Sequence, residues 1–335
     1  MNCCKLFFIG CFLFASKIVC SQHLAMLTDS SIKTSIRGLS AVGKQIIWAA
    51  GSNGQVAKST DGGLHWQWLT VNEYTTRDFR AVKAFSEKEA IIMAVGEPAL
   101  LLKTTDGGLH WHTIFFNDQK GMFLDALFFT NQANGWAIGD PVAANHPFIA
   151  NTDNGGKTWP IQTNNLPVFK QGEAFFASSN SNLFVWEKKK TIWMVTGGTV
   201  AKLYINSQLA FPLPLLQGTA SQGANSIDCY QRTCIIVGGD FMHDTIANGN
   251  AAIVTTQPSL KIKIPVQAPY GYRSCVKHIQ NKIWVCCGTS GVDISYDDGL
   301  HWQPISKASF YTICVTESKK IFLAGNKGRI AQLFL

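Results

Sequence analysis

Charge is scarce in this 335-residue sequence: Asp, Glu, Lys and Arg together make up 15% of it. Long stretches rich in Ala, Glu, Lys and Leu are missing, which excludes a helical bundle or a coiled coil. No basic run exceeds Lys188-Lys189-Lys190, so the formal net charge of +8 is spread along the chain. Spread in this way it forms no nucleic-acid patch. No Gly-x-Gly-x-x-Gly opens a helix after a strand, and haem and flavin signatures are missing, so no cofactor is expected. Beyond residue 21 no apolar run reaches the roughly 20 residues that a bilayer span requires. Cysteine is missing between Cys20 and Cys229, so no disulfide framework can organise that part of the chain.

What is present points to a large exported β-protein. Hydrophobic residues are 46% of the chain, enough for a sizeable core. Residues 1–21 read as a signal peptide: Lys5, then the uncharged apolar run Leu6 to Ala15, then Val19-Cys20-Ser21 with cleavage expected before Gln22. The expected product is a periplasmic or secreted single domain, residues 22–335. Cys20 is a poor lipoprotein signal because Lys17-Ile18-Val19 precedes it. Six cysteines lie beyond residue 228. Cys229 and Cys234 flank a hairpin-sized loop, and Cys275 and Cys286 are symmetric about Gln280-Asn281. Each pair could be a cross-strand disulfide or two small buried hydrophobes. Zinc and other metals are not expected, since the cysteine and histidine spacings do not fit a ligand set.

The chain repeats itself. Four segments share one eight-residue pattern: Ser59-Thr-Asp-Gly-Gly-Leu-His-Trp66, Thr104-Thr-Asp-Gly-Gly-Leu-His-Trp111, Thr152-Asp-Asn-Gly-Gly-Lys-Thr-Trp159 and Ser295-Tyr-Asp-Asp-Gly-Leu-His-Trp302. This is the Asp-box, or BNR, pattern. Asp61, Asp106, Asn154 and Asp297 can accept backbone N–H bonds across a tight turn. Gly63, Gly108, Gly156 and Gly299 supply positive φ. Trp66, Trp111, Trp159 and Trp302 pack beneath it. Thr158 stands where the other copies have His65, His110 and His301, which argues for a structural role. An apolar strand ending in Gly recurs seven times, at Trp48–Gly51, Met93–Gly96, Trp136–Gly139, Trp193–Gly197, Ile235–Gly238, Trp284–Gly288 and Phe322–Gly325. A period of about 45 residues with four strands per repeat signals a seven-bladed β-propeller. The seventh repeat stops at Leu335 without a fourth strand, while Gln22–Leu27 has no partner in blade 1. The N-terminal strand is therefore expected to close the ring.

The first strand of each blade lines the central channel. Aligned on a small-then-apolar pair, these strands present one residue each: Arg37, Arg80, Asp125, Glu173, Asn225, Arg273 and Tyr311. A positive arc then faces an acidic arc. This ring is either bracing that satisfies itself or an anion-binding mouth, since Arg forks suit carboxylates and phosphates. Asp140 and Asp240 follow blade glycines and either reach the same face or cap turns, with capping the expected role.

With these residues in place, the sequence resembles the photosystem II stability/assembly factor family, BNR-type seven-bladed propellers of plastids, cyanobacteria and many non-photosynthetic bacteria. The matching stretches run through the chain: Ile36-Arg37-Gly38-Leu39-Ser40, Asp78-Phe79-Arg80-Ala81-Val82, Gly139-Asp140-Pro141, Gly172-Glu173-Ala174-Phe175, Gly271-Tyr272-Arg273-Ser274 and Gly328-Arg329-Ile330-Ala331 among them. The resemblance implies a monomeric, non-enzymatic assembly or binding module that engages a protein partner, with Arg37, Arg80 and Arg273 as its arginine patch. The rival class is a glycosidase, because sialidases also carry this turn. Tyr311, Glu173 and Asp125 would be its catalytic set. Two departures stand against it: Ile36-Arg37-Gly38 replaces the sialidase Arg-Ile-Pro signature, and seven blades replace six.

Overall fold

The computed structural model describes residues 22–28, 31–143, 145–187 and 191–335. The expected signal peptide and the Lys188-Lys189-Lys190 run lie outside the described residues. Seven antiparallel sheets succeed one another along the chain, each built outwards from an innermost strand. Those innermost strands are Ile36–Val42, Phe79–Ala84, Leu124–Phe129, Leu183–Trp186, Gln222–Tyr230, Cys275–Gln280 and Thr312–Val315. Each packs on the next, and the seventh packs back on the first, so the sheets form the blades of a seven-bladed β-propeller.

The second strands, such as Ala90–Ala94 and Ile321–Ala324, are buried along their whole length because blades cover both faces. The core consequently lies between blades. Trp48 and Ala50 of blade 1 meet Phe79, Ile92 and Leu102 of blade 2 in one such cluster. The outermost strands, such as Gln67–Thr70, are partly exposed. The N-terminal strand His23–Met26 pairs antiparallel with Ile330–Phe334 and supplies the outer strand of blade 7. His23 stacks on Phe334 there, ring centroids 4.6 Å apart. This closure leaves blade 7 with no missing strand and no open outer ladder on Ile330–Phe334.

Blades 3 and 4 depart from the expected pattern. Blade 3 has three strands, and its fourth position keeps only a single bridge between Ala150 and Ile161. Pro160 precedes Ile161 and has no N–H to extend the ladder. In blade 4 the innermost strand is Leu183–Trp186, not the stretch around Glu173. Glu173–Ala174 pairs instead with Gly197–Gly198, which joins the sheet of blade 5.

The four repeated turns seal neighbouring blades. In the first, Asp61 Oδ1 accepts from the N–H groups of Leu64 and His65, each at 3.0 Å, and Trp66 Nε1 donates to the Gly63 carbonyl. Gly63 has φ +92, and a Cβ there would sit 2.4 Å from Phe322 of blade 7. Gly299 has φ +81, and its Cβ would lie 2.5 Å from Ile235 of blade 5. Glycine is therefore required twice over, by conformation and by close approach to the preceding blade.

Cys229 and Cys234 are directly opposed across a hairpin and form a disulfide. The Cys275–Cys286 pairing does not occur, and both are free thiols together with Cys287 and Cys314. The hairpin turns at Asn281-Lys282, one residue beyond the expected place, and a bulge between His278 and Gln280 takes back one residue of register, so Cys275 lies opposite Cys287 and Cys286 faces the other side of the sheet. Cys275 packs against Ile313, whereas Cys286 packs with Trp302.

Candidate functional site

The channel is not open. Residues 175–181, between Glu173–Ala174 and the innermost strand of blade 4, thread through its centre and bond to six other blades. Arg37 of blade 1 donates to the Ser178 carbonyl at 3.1 Å, and Arg80 of blade 2 reaches the Ala177 carbonyl at 3.5 Å. Leu127 N of blade 3 donates to Asn180 Oδ1 at 2.7 Å. Ser178 Oγ donates to Asn225 of blade 5, Ser179 Oγ to the Ser274 carbonyl of blade 6, and Thr312 of blade 7 to the Ser179 carbonyl. Small polar side chains suit this plug, because buried backbone polar groups must find partners where no ladder supplies them.

On the face where the innermost strands begin, the plug floors a cavity of about 350 Å³. Arg37, Arg80, Asp125, Phe175, Phe176, Phe241, Tyr272, Thr289 and Tyr311 line it. The opposite face has a second cavity of about 260 Å³ beside Ser179 and Asn180, edged by Lys83 and Lys277. A larger open groove, about 500 Å³, runs between the outer edges of blades 1 and 2 beside Tyr74 and Trp111. None of the seven expected ring residues reaches it.

Four of those seven owe their direction to a common device. The innermost strands of blades 1, 2, 3 and 5 each carry a bulge, between Ile36 and Gly38, Phe79 and Ala81, Leu124 and Ala126, and Ala224 and Ser226. Arg37, Arg80, Asp125 and Asn225 are the extra residues. A bulge re-aims the side chain it inserts, and three of these four line the cavity. Tyr311, just before the strand of blade 7, joins them. Asn225 lies beneath, fully buried, accepting from the Tyr272 hydroxyl at 2.9 Å.

Glu173 and Arg273 do not belong to this group. The Glu173 carboxylate accepts from Lys202 Nζ, Tyr204 OH and Thr196 Oγ1 within 2.9 Å. Burial, with Glu173 adding to it, pushes the Tyr204 phenol far up. The residue before the innermost strand of blade 4 is instead Asn182, buried and donating to the Phe176 carbonyl. Arg273 is 1% exposed and spends its donors on Asp293, the Tyr270 and Tyr272 carbonyls and Ser290. In blade 6 Cys275 pairs with Cys287 as Gly38 pairs with Ala50 in blade 1, so Ser274 holds the place of Arg37. The expected alignment slipped by one residue, which sends a side chain to the other face. Tyr272, two residues earlier, faces the cavity in its stead. Tyr311, Asp125 and Glu173 are consequently not brought together as a glycosidase set.

The guanidinium of Arg37 lies over the Tyr311 ring, 4.2 Å from its centroid. Burial and the neighbouring Arg80 lower its proton affinity, yet a guanidinium stays charged at any physiological pH. Arg80 pairs with Asp78 at 2.7 Å. Asp125 is 1% exposed, and neither of its oxygens has a hydrogen-bond partner of normal geometry. The Thr289 hydroxyl on the cavity wall is likewise unpartnered. Asp140 accepts from Phe175 N at 2.8 Å and so holds the start of the plug. Asp240 accepts from Met242 N at 3.0 Å and caps its loop.

These features define a seven-bladed β-propeller whose plugged channel leaves an arginine- and aromatic-lined cavity on one face. A family model described as Photosynthesis system II assembly factor YCF48 matches residues 27–195, half of the chain. The chain belongs to this family. The structure of YCF48 bound to D1 peptide is similar, with TM-score 0.65 and 18% identity over 95% of this chain and 96% of that one. YCF48 from Cyanidioschyzon merolae gives TM-score 0.62 and 16% identity over 92% and 98%. Virginiamycin B lyase from Staphylococcus aureus gives 0.65 and 13% over 94% and 99%. At these identities the likeness is one of fold. Comparison with curated protein sequences finds no match.

Proposed function

We propose that this chain is an exported, non-enzymatic propeller that binds a segment of a protein partner, in the manner of an assembly factor, through the cavity at Arg37, Arg80 and Tyr311. One observation carries the reading. Among the described residues no carboxylate pairs with Arg37, whose fork faces a cavity walled by Phe175, Phe176 and Phe241. A desolvated guanidinium without a counter-ion is arranged for an anionic group, and the phenyl walls suit the apolar atoms beside it. The solved complex of YCF48 with a D1 peptide supports a polypeptide as the ligand. The signal-peptide pattern of residues 1–21 supports a periplasmic or secreted location.

The test is a peptide-display selection on the immobilised protein. Peptides rich in Asp or Glu are expected to be enriched, and to lose at least tenfold in affinity for the Arg37→Ala/Arg80→Ala variant. Enriched peptides that bind this variant as tightly as the wild type would overturn the reading.

A further inference from the structure

Asp125 stands out in the cavity that it lines, and Asp140 is its neighbour on the same hairpin. Both come from the innermost hairpin of blade 3, where Leu124 pairs with Gly139 and Asp140 N donates to the Phe123 carbonyl. The Asp125 carboxyl feels the charge of Asp140, and the cation that opposes it, Arg80, is already paired with Asp78. Asp125 is almost wholly buried and both its oxygens lack a proper partner. The N–H groups of Asp140 and Ala177 approach it without forming a hydrogen bond of normal geometry. Two adjacent carboxylates in such a place do not both ionise at neutral pH, since each would sit uncompensated in a poorly hydrated site.

We infer that Asp125 and Asp140 act as a proton-holding pair that sets the charge of the cavity, so that the site binds anionic ligands tightly when the pair is protonated and weakly once it ionises. The inference rests on the anion-site reading above and concerns its regulation. Burial first, then Asp140, pushes the Asp125 carboxyl well above the usual carboxylate range. Burial also raises Asp140, to about 6, against the opposing hydrogen bond from Phe175 N. The pair titrates as a unit. The groups facing it are Arg80 from blade 2, itself held by Asp78, Phe175 N and Ala177 N from the plug, and Arg37, Tyr272 and Tyr311 around the same cavity. Burial holds the Tyr272 phenol up at about 12, so it stays neutral throughout. Below about pH 6 the arginines dominate the cavity. As pH rises through 6, a negative charge appears beside the bound anion, and affinity falls. By linkage the anion raises the proton affinity of the pair by the same factor.

The experiment uses benzenesulfonate as probe, an aromatic anion whose own charge does not change with pH. Binding is measured by calorimetry from pH 5 to 8 on wild type, Arg37→Ala/Arg80→Ala and Asp140→Asn. The expected result is affinity about tenfold higher at pH 5 than at pH 8, the size of one unit of linked proton affinity. The dependence should be flattened by Asp140→Asn and all binding removed by the double arginine variant. Binding that needs the arginines but is flat in wild type from pH 5 to 8 overturns the acid pair and leaves the anion site standing. Absence of arginine-dependent binding at every pH overturns both.

Discussion

Arg37 of blade 1 and Tyr311 of blade 7 meet across the seam of the propeller, the guanidinium 4.2 Å above the phenol ring. The N-terminal strand closes the same seam on the outside through its ladder with Ile330–Phe334. The stacking fixes the plane of the arginine while its Nη1 holds the plug at Ser178. Lysine keeps a cation but loses the planar fork and its flat stacking on the ring. Arg37→Lys should therefore weaken binding of selected acidic peptides nearly as much as Arg37→Ala, by about tenfold, measured by fluorescence anisotropy. Full retention by the lysine variant would show that charge alone suffices.

The turn tryptophans differ in burial and should differ in cost. Trp302 is fully buried between blades 5 and 6, whereas Trp66 keeps part of its surface in solvent. Trp302→Ala should cost about 3–5 kcal/mol, and Trp66→Ala measurably less. Urea unfolding of the two variants decides this, and equal losses would contradict the packing described.

The acid pair also makes a statement about stability. Asp140 has its folded-state proton affinity raised from 3.8 to about 6. A group raised in this way contributes stability that is present below its unfolded pKa, near 4, and lost as pH climbs through about 6. Asp140→Asn should leave the melting temperature near that of wild type at pH 4–5 and raise it at pH 8. The gain is at most about 3 kcal/mol, from a shift of about two units. A variant less stable at pH 8 than at pH 5, relative to wild type, would contradict the assignment.

Much of this architecture was legible in the sequence, and the reasons are local. The turn pattern announces itself because an Asp or Asn, a Gly two residues later and a Trp three beyond it recur at fixed places within eight residues. The closure was legible because Gln22–Leu27 had apolar spacing and no partner in blade 1. The plug was not, since Ser178, Ser179 and Asn180 show neither strand nor helix periodicity and their partners come from six blades. For the same reason Glu173 was mistaken for an innermost-strand residue. Arg273 and the Cys275–Cys286 pair failed through single-residue register errors. Ser274-Cys275 imitates the small-apolar pair that Cys275-Val276 provides, and composition does not tell a turn at Asn281-Lys282 from one at Gln280-Asn281. Asp140 read as a turn cap that could also reach the channel face, and its place near Asp125 follows only from the hairpin of blade 3.

Cysteine chemistry offers a compact check. Alkylation without reductant, followed by peptide mass mapping, should find Cys229 linked to Cys234 and Cys275, Cys286, Cys287 and Cys314 all as thiols. The short loop between the linked pair predicts a loss of about 2 kcal/mol for Cys229→Ser/Cys234→Ser. A Cys275–Cys286 linkage would contradict the register of blade 6.

The most direct measurement is site-specific photo-crosslinking to a selected acidic peptide. A photoreactive phenylalanine analogue is placed at Phe241 on the rim of the arginine cavity, or at Tyr230 at the tip of the blade 5 hairpin, beside His278 of the opposite cavity. Adducts from the Phe241 position, abolished by Arg37→Ala/Arg80→Ala, are the predicted result. Adducts from the Tyr230 position alone would place the partner on the other face of the propeller and contradict the assignment of the site.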